Sequence, residues 1–224
     1  MIESNPGMLK KLLIAALCVA PVVAQAQTAK PAIDNDRVRV WDVDWTTGPA
    51  PTMEFSKYDA LIVFTTGGQL RKVSTVSPIT VVTHAAGEVM FLEQAAVDKL
   101  EAPAGSKAHT VIIFIKDEPL PPLKNESGHP AAFPRPGGKR LINNARVTAW
   151  DYSWTPGQPT PMHFHDKDVV VIYLEDGSLK STAPDGQVTI NDYTAGAIRY
   201  NTRDRVHTEE LSKGTQHALI TEVK

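Results

Sequence analysis

Three histidines in the second half of the chain have the type and spacing of metal ligands. His163 and His165 flank Phe164, and His207 follows 42 residues after His165. Side chains two residues apart on a β-strand point to the same face, so the first two imidazoles can approach one ion. Neutral imidazole is the commonest metal ligand in proteins, and three of them leave coordination positions free. The pattern predicts one divalent metal ion, with iron, manganese, zinc, nickel and copper all open.

The chain also contains an internal duplication at an offset of 109 residues. Between residues 41 and 98, 14 of 58 positions are identical to those of 150–207, where chance would give about three or four. A fixed offset of this length predicts two copies of one domain. The histidines are specific to the second copy, and the first copy carries Glu54, Ser56 and Asp98 in their places.

The elements that position these residues are predicted to be β-strands. Short runs of β-branched and aromatic residues bounded by turn residues occur in both copies, at 60–64, 111–115, 169–173 and 217–223. No stretch beyond the N-terminal segment has a sustained 3.6-residue period, so helix content should be low. Short strands at regular spacing indicate a sandwich or barrel of the jelly-roll type.

Glycine and histidine spacings in the second copy resemble the two sequence motifs of the cupin superfamily. The matching residues are Gly157, His163, His165, Gly177, Gly196 and His207. The resemblance implies an all-β bicupin, with two tandem jelly-roll barrels. Because the first copy lacks the histidines, it would be a degenerate barrel beside a metal-competent one.

Three departures from the cupin motifs bear on the site. The usual glutamate is replaced by Val169 or Val170, depending on the spacer, the turn before the last histidine reads Thr202–Arg203–Asp204, and Leu211 replaces the closing asparagine. Loss of the glutamate leaves a three-histidine ligand set. Within the family, such a set resembles iron(II) dioxygenases that cleave aromatic rings or diketones, or that oxidise thiols.

Four segments are expected along the chain: a signal peptide (1–26), a degenerate cupin domain (27–117), a proline-rich linker (118–140) and a metal-binding cupin domain (141–224). Two lysines precede the apolar run of the first segment, which ends in Ala24–Gln25–Ala26. This three-part form is typical of a secretory signal and predicts a periplasmic or secreted protein. Six prolines should stiffen the linker.

Two polar residues confined to the second copy are the candidate catalytic residues. Arg199 replaces Met90 of the first copy, and its guanidinium would suit a carboxylate or enolate if it faces inward, or be solvated if it faces outward. Glu209 replaces Leu100 and should share the face of His207. A fourth ligand, a general base, a partner that orients an imidazole and a carboxylate at the rim all remain open for it.

Residues shared by the two copies are assigned to the scaffold instead. Asp168 lies near the histidines and is an alternative ligand, but it recurs as Asp59 in the copy without histidines. A turn or scaffold role is therefore favoured. Arg37 and Arg146 recur in the same way.

Composition excludes some functions and leaves two open. The formal net charge is −2, without the basic stripe that nucleic-acid binding requires, and the single cysteine lies in the signal segment. We expect a small-molecule ligand, with carboxylates among the candidates, and no membrane contact after cleavage. The chain would be a pseudo-twofold monomer or a homodimer. One hypothesis is a dioxygenase-, isomerase- or lyase-like metalloenzyme, and the other is a non-catalytic ligand- or metal-binding protein of the cell envelope.

Overall fold

A computed structural model describes residues 1, 30–47, 50–116, 120 and 123–224. Apart from residue 1, the predicted signal peptide lies outside these residues, and so do three of the linker prolines. The described residues form seventeen β-strands. Within these ranges there is no helix with the length and apolar character needed to span a membrane.

Eight strands build the first barrel and nine build the second. The first has β1 (Ile33–Asp34), β2 (Val38–Asp44), β3 (Asp59–Thr66), β4 (Gly68–Val73), β5 (Thr80–His84), β6 (Val89–Leu92), β7 (Lys99–Glu101) and β8 (His109–Ile115). The second has β9 (Lys139–Asn143), β10 (Val147–Ser153), β11 (His163–His165), β12 (Asp168–Tyr173), β13 (Gly177–Thr182), β14 (Val188–Tyr193), β15 (Ile198–Asn201), β16 (Arg205–Gly214) and β17 (His217–Val223).

Each barrel consists of a five-stranded sheet and a smaller sheet, with antiparallel pairing between the strands. The five-stranded sheets have the orders β1-β2-β8-β3-β6 and β9-β10-β17-β12-β15, which are equivalent under the 109-residue offset. The smaller sheets are β5-β4-β7 in the first barrel and β11-β16-β13-β14 in the second. This repeated topology agrees with the predicted duplication and with two jelly-roll barrels.

The inner strands β3, β8, β12 and β17 of the five-stranded sheets are buried on both faces, which explains their nearly continuous apolar sequences. Val169 and Val171 point into the second barrel, whereas Val170 and Ile172 pack against the first barrel. One apolar cluster joins the two sheets and includes Val38, Val40, Leu61, Val63, Ile113, Val147, Val170, Ile172 and Leu219. The barrels therefore cover each other's apolar sheet face within a single chain.

Two ion pairs cross between the barrels and are related by the duplication. Arg37 Nε lies 3.2 Å from Asp168 Oδ2, and Arg146 Nε lies 2.9 Å from Asp59 Oδ2. Each arginine thus contacts the aspartate of the other barrel. Asp168 is committed to this contact, in agreement with the predicted scaffold role.

The described part of the linker packs on the second barrel. Phe133 is buried and stacks on Trp150, with ring centroids 5.0 Å apart. Pro130 and Ala132 exchange backbone hydrogen bonds with Phe164, which lies between the two histidines of β11. The linker therefore supports the strand that carries His163 and His165.

Candidate metal centre

Strands β11 and β16 bring the three predicted ligands together. In this antiparallel pair His163 lies directly opposite His207, and His165 lies opposite Arg205. Side chains opposite one another project from the same face of a sheet, and period-two alternation puts His163 and His165 on that face together. The His-x-His spacing therefore places three imidazoles on the inner face of the smaller sheet.

The ring nitrogens of the three histidines converge on one point. His165 Nε2 lies 3.2 Å from His163 Nε2 and 3.0 Å from His207 Nε2. The ring centroids are 4.9 to 5.0 Å apart for all three pairs. His163 and His165 are buried, and the side chain of His207 is 12% exposed. This geometry matches a compact group of ligand atoms that could hold a metal ion.

Hydrogen bonds at the opposite ring nitrogens fit a metal at this point. His163 Nδ1 lies 2.8 Å from the carbonyl oxygen of Pro161, which only accepts hydrogen bonds, so Nδ1 carries the proton and Nε2 presents a lone pair. His207 Nδ1 lies 2.9 Å from Ser181 Oγ. Metal-binding histidines ordinarily use their second nitrogen in this way, which fixes the tautomer and the ring orientation.

Burial keeps these imidazoles in the neutral form that binds metals. It lowers the pKa of His163 to about 4 and that of His165 to about 2, and it also lowers the pKa of His207. A charged imidazole loses its hydration on burial, so the neutral form is favoured. All three histidines therefore offer lone pairs at neutral pH without first releasing a proton.

Glu209 lies at the edge of the histidine cluster. Its Oε2 accepts hydrogen bonds from Arg135 Nη1 at 3.1 Å and from Trp154 Nε1 at 3.3 Å, while Oε1 lies 3.9 Å from His207 Nε2. Burial acts to raise the pKa of Glu209, but the charges of Arg135 and of the three histidines together lower it to about 2. The carboxylate is thus ionised and engaged by Arg135 and Trp154.

The position of the family glutamate is occupied by an apolar side chain. Val169 faces the interior of the second barrel and lines the cavity beside the histidines, whereas Val170 faces the first barrel. Val169 is therefore the residue at the site, and the group that could hold a metal ion consists of three histidines.

A small cavity of about 110 Å³ adjoins His165 and His207. Its polar lining residues include Ser181, Asn191, Asn201, Arg205 and Glu209, and its apolar wall includes Trp154, Val171, Tyr173 and Leu179. Tyr173 and Tyr193 stack at its side, with ring centroids 3.9 Å apart. The cavity therefore has an aromatic wall on one side and polar groups close to the histidines.

Arg205 supplies a positive charge to this cavity. It lies opposite His165 in the strand pair, and its Nε donates to the carbonyl oxygen of Thr202 at 2.7 Å. Within the part of the chain that the structure describes, no carboxylate lies at ion-pair distance from its guanidinium. Arg135 is paired with Glu209, so Arg205 leaves the cavity with a net positive charge.

The candidate residue Arg199 has a different location. It is exposed, and its Cζ lies 6.0 Å from the ring centroid of Tyr193. Its neighbour Asn201 lines the cavity, whereas Arg199 is absent from the lining. Of the two orientations left open for this face of β15, Asn201 thus has the inward one. The anion-binding role of Arg199 stays a prediction.

Sequence reasoning missed two arginines of the site. Arg205 occupies the position of Ala96 in the first copy and lies two residues before His207, so the period-two argument used for Glu209 also applied to it. Arg135 comes from the linker, and its guanidinium lies 4.1 Å from the ring centroid of Phe133 and 4.6 Å from that of Tyr152. No sequence signal marked this second arginine.

Similarity searches place the fold but not the activity. No family model and no curated protein matches the chain. Oxalate decarboxylase from Bacillus subtilis, in a structure described by its Mn(II) centres, is 12% identical, with 84% of this chain and 69% of that chain covered and a TM-score of 0.56. A second structure of that enzyme, at pH 4.6, is 13% identical over 84% of this chain and 68% of that chain, with a TM-score of 0.55.

A cupin 2 conserved barrel domain protein from Leptotrichia buccalis also matches. It is 13% identical, with 88% of each chain covered and a TM-score of 0.48. At these identities the likeness to oxalate decarboxylase shows the fold alone, a pair of cupin barrels.

Proposed function

We propose that this two-barrel cupin binds one divalent metal ion through His163, His165 and His207 and acts there on a small anionic molecule. The observation that carries the proposal is the convergence of three Nε2 atoms, two of them 3.0 and 3.2 Å from that of His165. Lone pairs at such distances repel one another unless a proton or a cation lies between them. Burial disfavours the charged imidazolium, and a neutral His165 has a single ring proton, which can lie between its Nε2 and only one of its two neighbours. A metal ion at the common point satisfies all three lone pairs.

The size of the cavity limits the ligand to a few non-hydrogen atoms. Its volume of about 110 Å³ is well below the roughly 300 to 1,000 Å³ of pockets that bind drug-sized molecules. One face is apolar and the other carries Arg205 and the histidines. These two faces fit a molecule that has a carboxylate or a similar pair of oxygens for the charged face and a short carbon skeleton for the apolar face.

Charge favours an anion. Arg135 and Glu209 neutralise each other, and Arg205 remains as a positive group on the cavity wall. Burial lowers the pKa of Arg205, but a guanidinium stays protonated in proteins. In the proposed complex, Arg205 donates hydrogen bonds to one carboxylate of the ligand and fixes its orientation.

The remaining cavity residues would exclude water and hold the ligand in place. Trp154 and Tyr173 form the apolar wall, and Ser181 orients His207 through its Nδ1. A bound metal ion would supply Lewis acidity and would polarise the oxygen atoms of the ligand. The ionised Glu209 would add negative charge at the same edge of the site.

Metal identity and cellular location belong to the proposal as well. Three imidazoles accept several divalent ions, and the B. subtilis enzyme of the same fold has Mn(II) centres. Manganese is thus included among the candidates with iron, zinc, nickel and copper. The leader-like segment 1–26 supports action in the periplasm or outside the cell.

A non-catalytic role in ligand or metal binding is the second candidate, and one observation favours it. Oε2 of Glu209 already accepts hydrogen bonds from Arg135 and Trp154. A carboxylate held in this way is restricted in its movement toward a substrate proton. Of the two candidate catalytic residues, Glu209 is therefore constrained and Arg199 is exposed.

Anion binding to the cobalt(II)-loaded protein tests the proposed function. Oxalate and acetate are titrated while the visible absorption of cobalt is recorded. We expect Arg205→Met to retain cobalt and to bind oxalate at least about 10-fold more weakly, because a charged hydrogen bond is lost. Arg199→Met is measured in parallel. An oxalate affinity within about twofold of the wild type would contradict the anion-binding role predicted for Arg199, and a loss similar to that of Arg205→Met would support it.

Failure of the wild-type protein to bind cobalt would overturn the metal site. Equal oxalate affinity in the wild type and Arg205→Met would overturn the role of Arg205. Chemical analysis of the bound anion separates the two candidates: an enzyme converts one of a panel of small carboxylates, whereas a binding protein returns each of them unchanged.

A further inference from the structure

The cross-barrel ion pair of Arg37 extends to the backbone that carries the metal ligands. Asp168 Oδ2 lies 3.2 Å from Arg37 Nε, and Asp168 Oδ1 accepts a hydrogen bond from the backbone N–H of Arg203 at 2.8 Å. Both side chains are buried, with Arg37 10% and Asp168 5% exposed. One carboxylate therefore binds an arginine of the first barrel and a turn of the second.

That turn leads directly into the site. Asp204 has a positive φ of 65°, a conformation that costs energy for a non-glycine residue and needs support from its surroundings. Its N–H donates to the carbonyl oxygen of His165 at 2.8 Å. Strand β16 starts at the next residue, Arg205, and reaches His207 two residues later. The turn thus links the backbone of one ligand to the strand of another.

The first barrel also anchors the C-terminal end of the neighbouring strand. Arg37 Nη2 donates to the carbonyl oxygen of Lys224 at 2.9 Å, directly after β17. Strand β17 pairs with β12, where Val223 lies opposite Asp168. The guanidinium therefore holds Asp168 and the adjacent strand end at the same time, which restricts the carboxylate to one position. The hydroxyl of Tyr200 is a further hydrogen-bond partner of Asp168.

From these contacts we infer that Arg37 is a positioning residue for the metal centre, acting through Asp168 and the turn at 202–204. The inference rests on the metal site proposed above, and it assigns a task to the barrel that has no histidine cluster. Groups that orient metal ligands without contacting the metal themselves commonly contribute about 10- to 100-fold to metal affinity. Here the supporting charge comes from the other barrel.

The duplication supplies a matched control. Arg146 Nε lies 2.9 Å from Asp59 Oδ2, and Asp59 Oδ1 accepts a hydrogen bond from the N–H of Gln94 at 2.7 Å. The following residue, Ala95, has a φ of 59°. Arg146 Nη2 donates to the carbonyl oxygen of Ile115 at 3.4 Å, as Arg37 does to that of Lys224. Arg146 thus makes the equivalent contacts in a more exposed pair, with Arg146 29% and Asp59 20% exposed, and its turn leads to no metal ligand.

The test compares Arg37→Met with Arg146→Met in two measurements. Zinc affinity is measured by chelator competition, and amide hydrogen exchange is followed by mass spectrometry in the metal-free full chain. We expect Arg37→Met to weaken zinc binding by about 10- to 100-fold, and Arg146→Met by less than about twofold. Exchange should accelerate at 202–208 in the first variant and at 93–99 in the second.

Equal losses of zinc affinity in the two variants would show that Arg37 stabilises the fold in general and does not position the metal centre. That result would overturn the inference. Unchanged exchange at 202–208 in Arg37→Met would also overturn it. If the wild-type chain bound no zinc, the proposed function would fail, and the exchange measurement would still decide whether Arg37 fixes the turn.

Removal of Arg37 leaves Asp168 as a buried, unpaired charge, so Arg37→Met can fail to fold. The paired variants Arg37→Met/Asp168→Ala and Arg146→Met/Asp59→Ala leave no unpaired charge and remove the support of each turn. Zinc binding should be weakened in the first paired variant and nearly unchanged in the second. Exchange should accelerate at 202–208 in the first and at 93–99 in the second. Equal zinc affinity in these two variants would again contradict the inference.

Discussion

The two barrels share one topology but differ at the smaller sheet. In the second barrel, β11 pairs with the first part of β16, and this pair carries the histidines. In the first barrel, residues 54–56 lie at a turn, where the N–H of Lys57 donates to the carbonyl oxygen of Glu54. The strand equivalent to β16 is reduced to β7 (Lys99–Glu101). Among the described residues, the first barrel therefore lacks both the three histidines and the strand pair that would align them.

The interiors of the two barrels also differ, and the interior of the first barrel is less polar than that of the second. Two polar positions around the candidate metal site are buried and apolar in the first barrel, where Leu92 and Leu100 correspond to Asn201 and Glu209. Ala96, which corresponds to Arg205, is exposed. Phe55 and Phe114 pack edge to face there, with centroids 5.1 Å apart. Without a metal to bind, an apolar filling stabilises a barrel more simply than buried polar groups, each of which needs a partner. The comparison teaches that duplicated scaffolds can keep their topology while one site exchanges its buried polar groups for apolar side chains.

Of the changes considered, loss of one histidine should have the largest effect on the difference in metal binding between the two barrels. His165→Ala should reduce bound metal from about one equivalent per chain to less than about a tenth, because two imidazoles alone hold an ion weakly. Ser56→Ala, at the equivalent position of the first barrel, should retain the full equivalent. Elemental mass spectrometry after reconstitution measures both. Stoichiometric metal in His165→Ala would place the ion elsewhere.

Grafting the three histidines onto the first barrel should fail. In a chain that also carries His165→Ala, the variant with Glu54→His, Ser56→His and Asp98→His should bind zinc at least about 100-fold more weakly than the wild-type second barrel. Segment 54–56 forms no strand to align the new side chains. Chelator competition gives the affinity. A graft that matched the natural site would show that strand pairing is dispensable.

The smallest predicted difference is in stability at acidic pH. Burial lowers the pKa of His163 to about 4 and that of His165 to about 2, from the usual 6.5. At a pH between the folded and the unfolded pKa of each histidine, the unfolded chain binds more protons than the folded chain. The free energy of unfolding should therefore decrease as the pH falls below about 6.5. The decrease is at most about 1.4 kcal/mol per pH unit for each histidine. For His163 this loss should level off near pH 4.

Urea unfolding of the chelator-treated protein at pH 7 and pH 5 measures this dependence. The double variant His163→Ala/His165→Ala should show a shallower decrease, since it lacks two of the buried imidazoles. Glu54 and Ser56 occupy these positions in the first barrel, so replacing them by alanine should leave the decrease in place. A decrease of the same slope in both double variants would show that other groups control the acid sensitivity.

The sequence by itself determined the features that depend on local spacing and on the repeat. The 109-residue offset and the period-two runs predicted two all-β barrels, and His163, His165 and His207 were identified as one ligand set. Glu209 was expected on the face of His207, and it lies there, 3.9 Å from Nε2 through Oε1. Such predictions succeed because strand alternation is fixed by backbone geometry within a few residues.

Only the tertiary structure decided which distant groups meet. Arg135 reaches Glu209 from the linker, 74 residues away, and Arg37 reaches Asp168 across 131 residues. Neither pairing leaves a trace in local spacing, since each depends on how the barrels and the linker pack. Arg199 and Arg205 both lie near the second cupin motif, and side-chain burial alone separates the exposed arginine from the one that lines the cavity. The grouping of the three histidines thus follows from sequence spacing, whereas the pairing of Glu209 with Arg135 and of Asp168 with Arg37 follows from packing between separate elements.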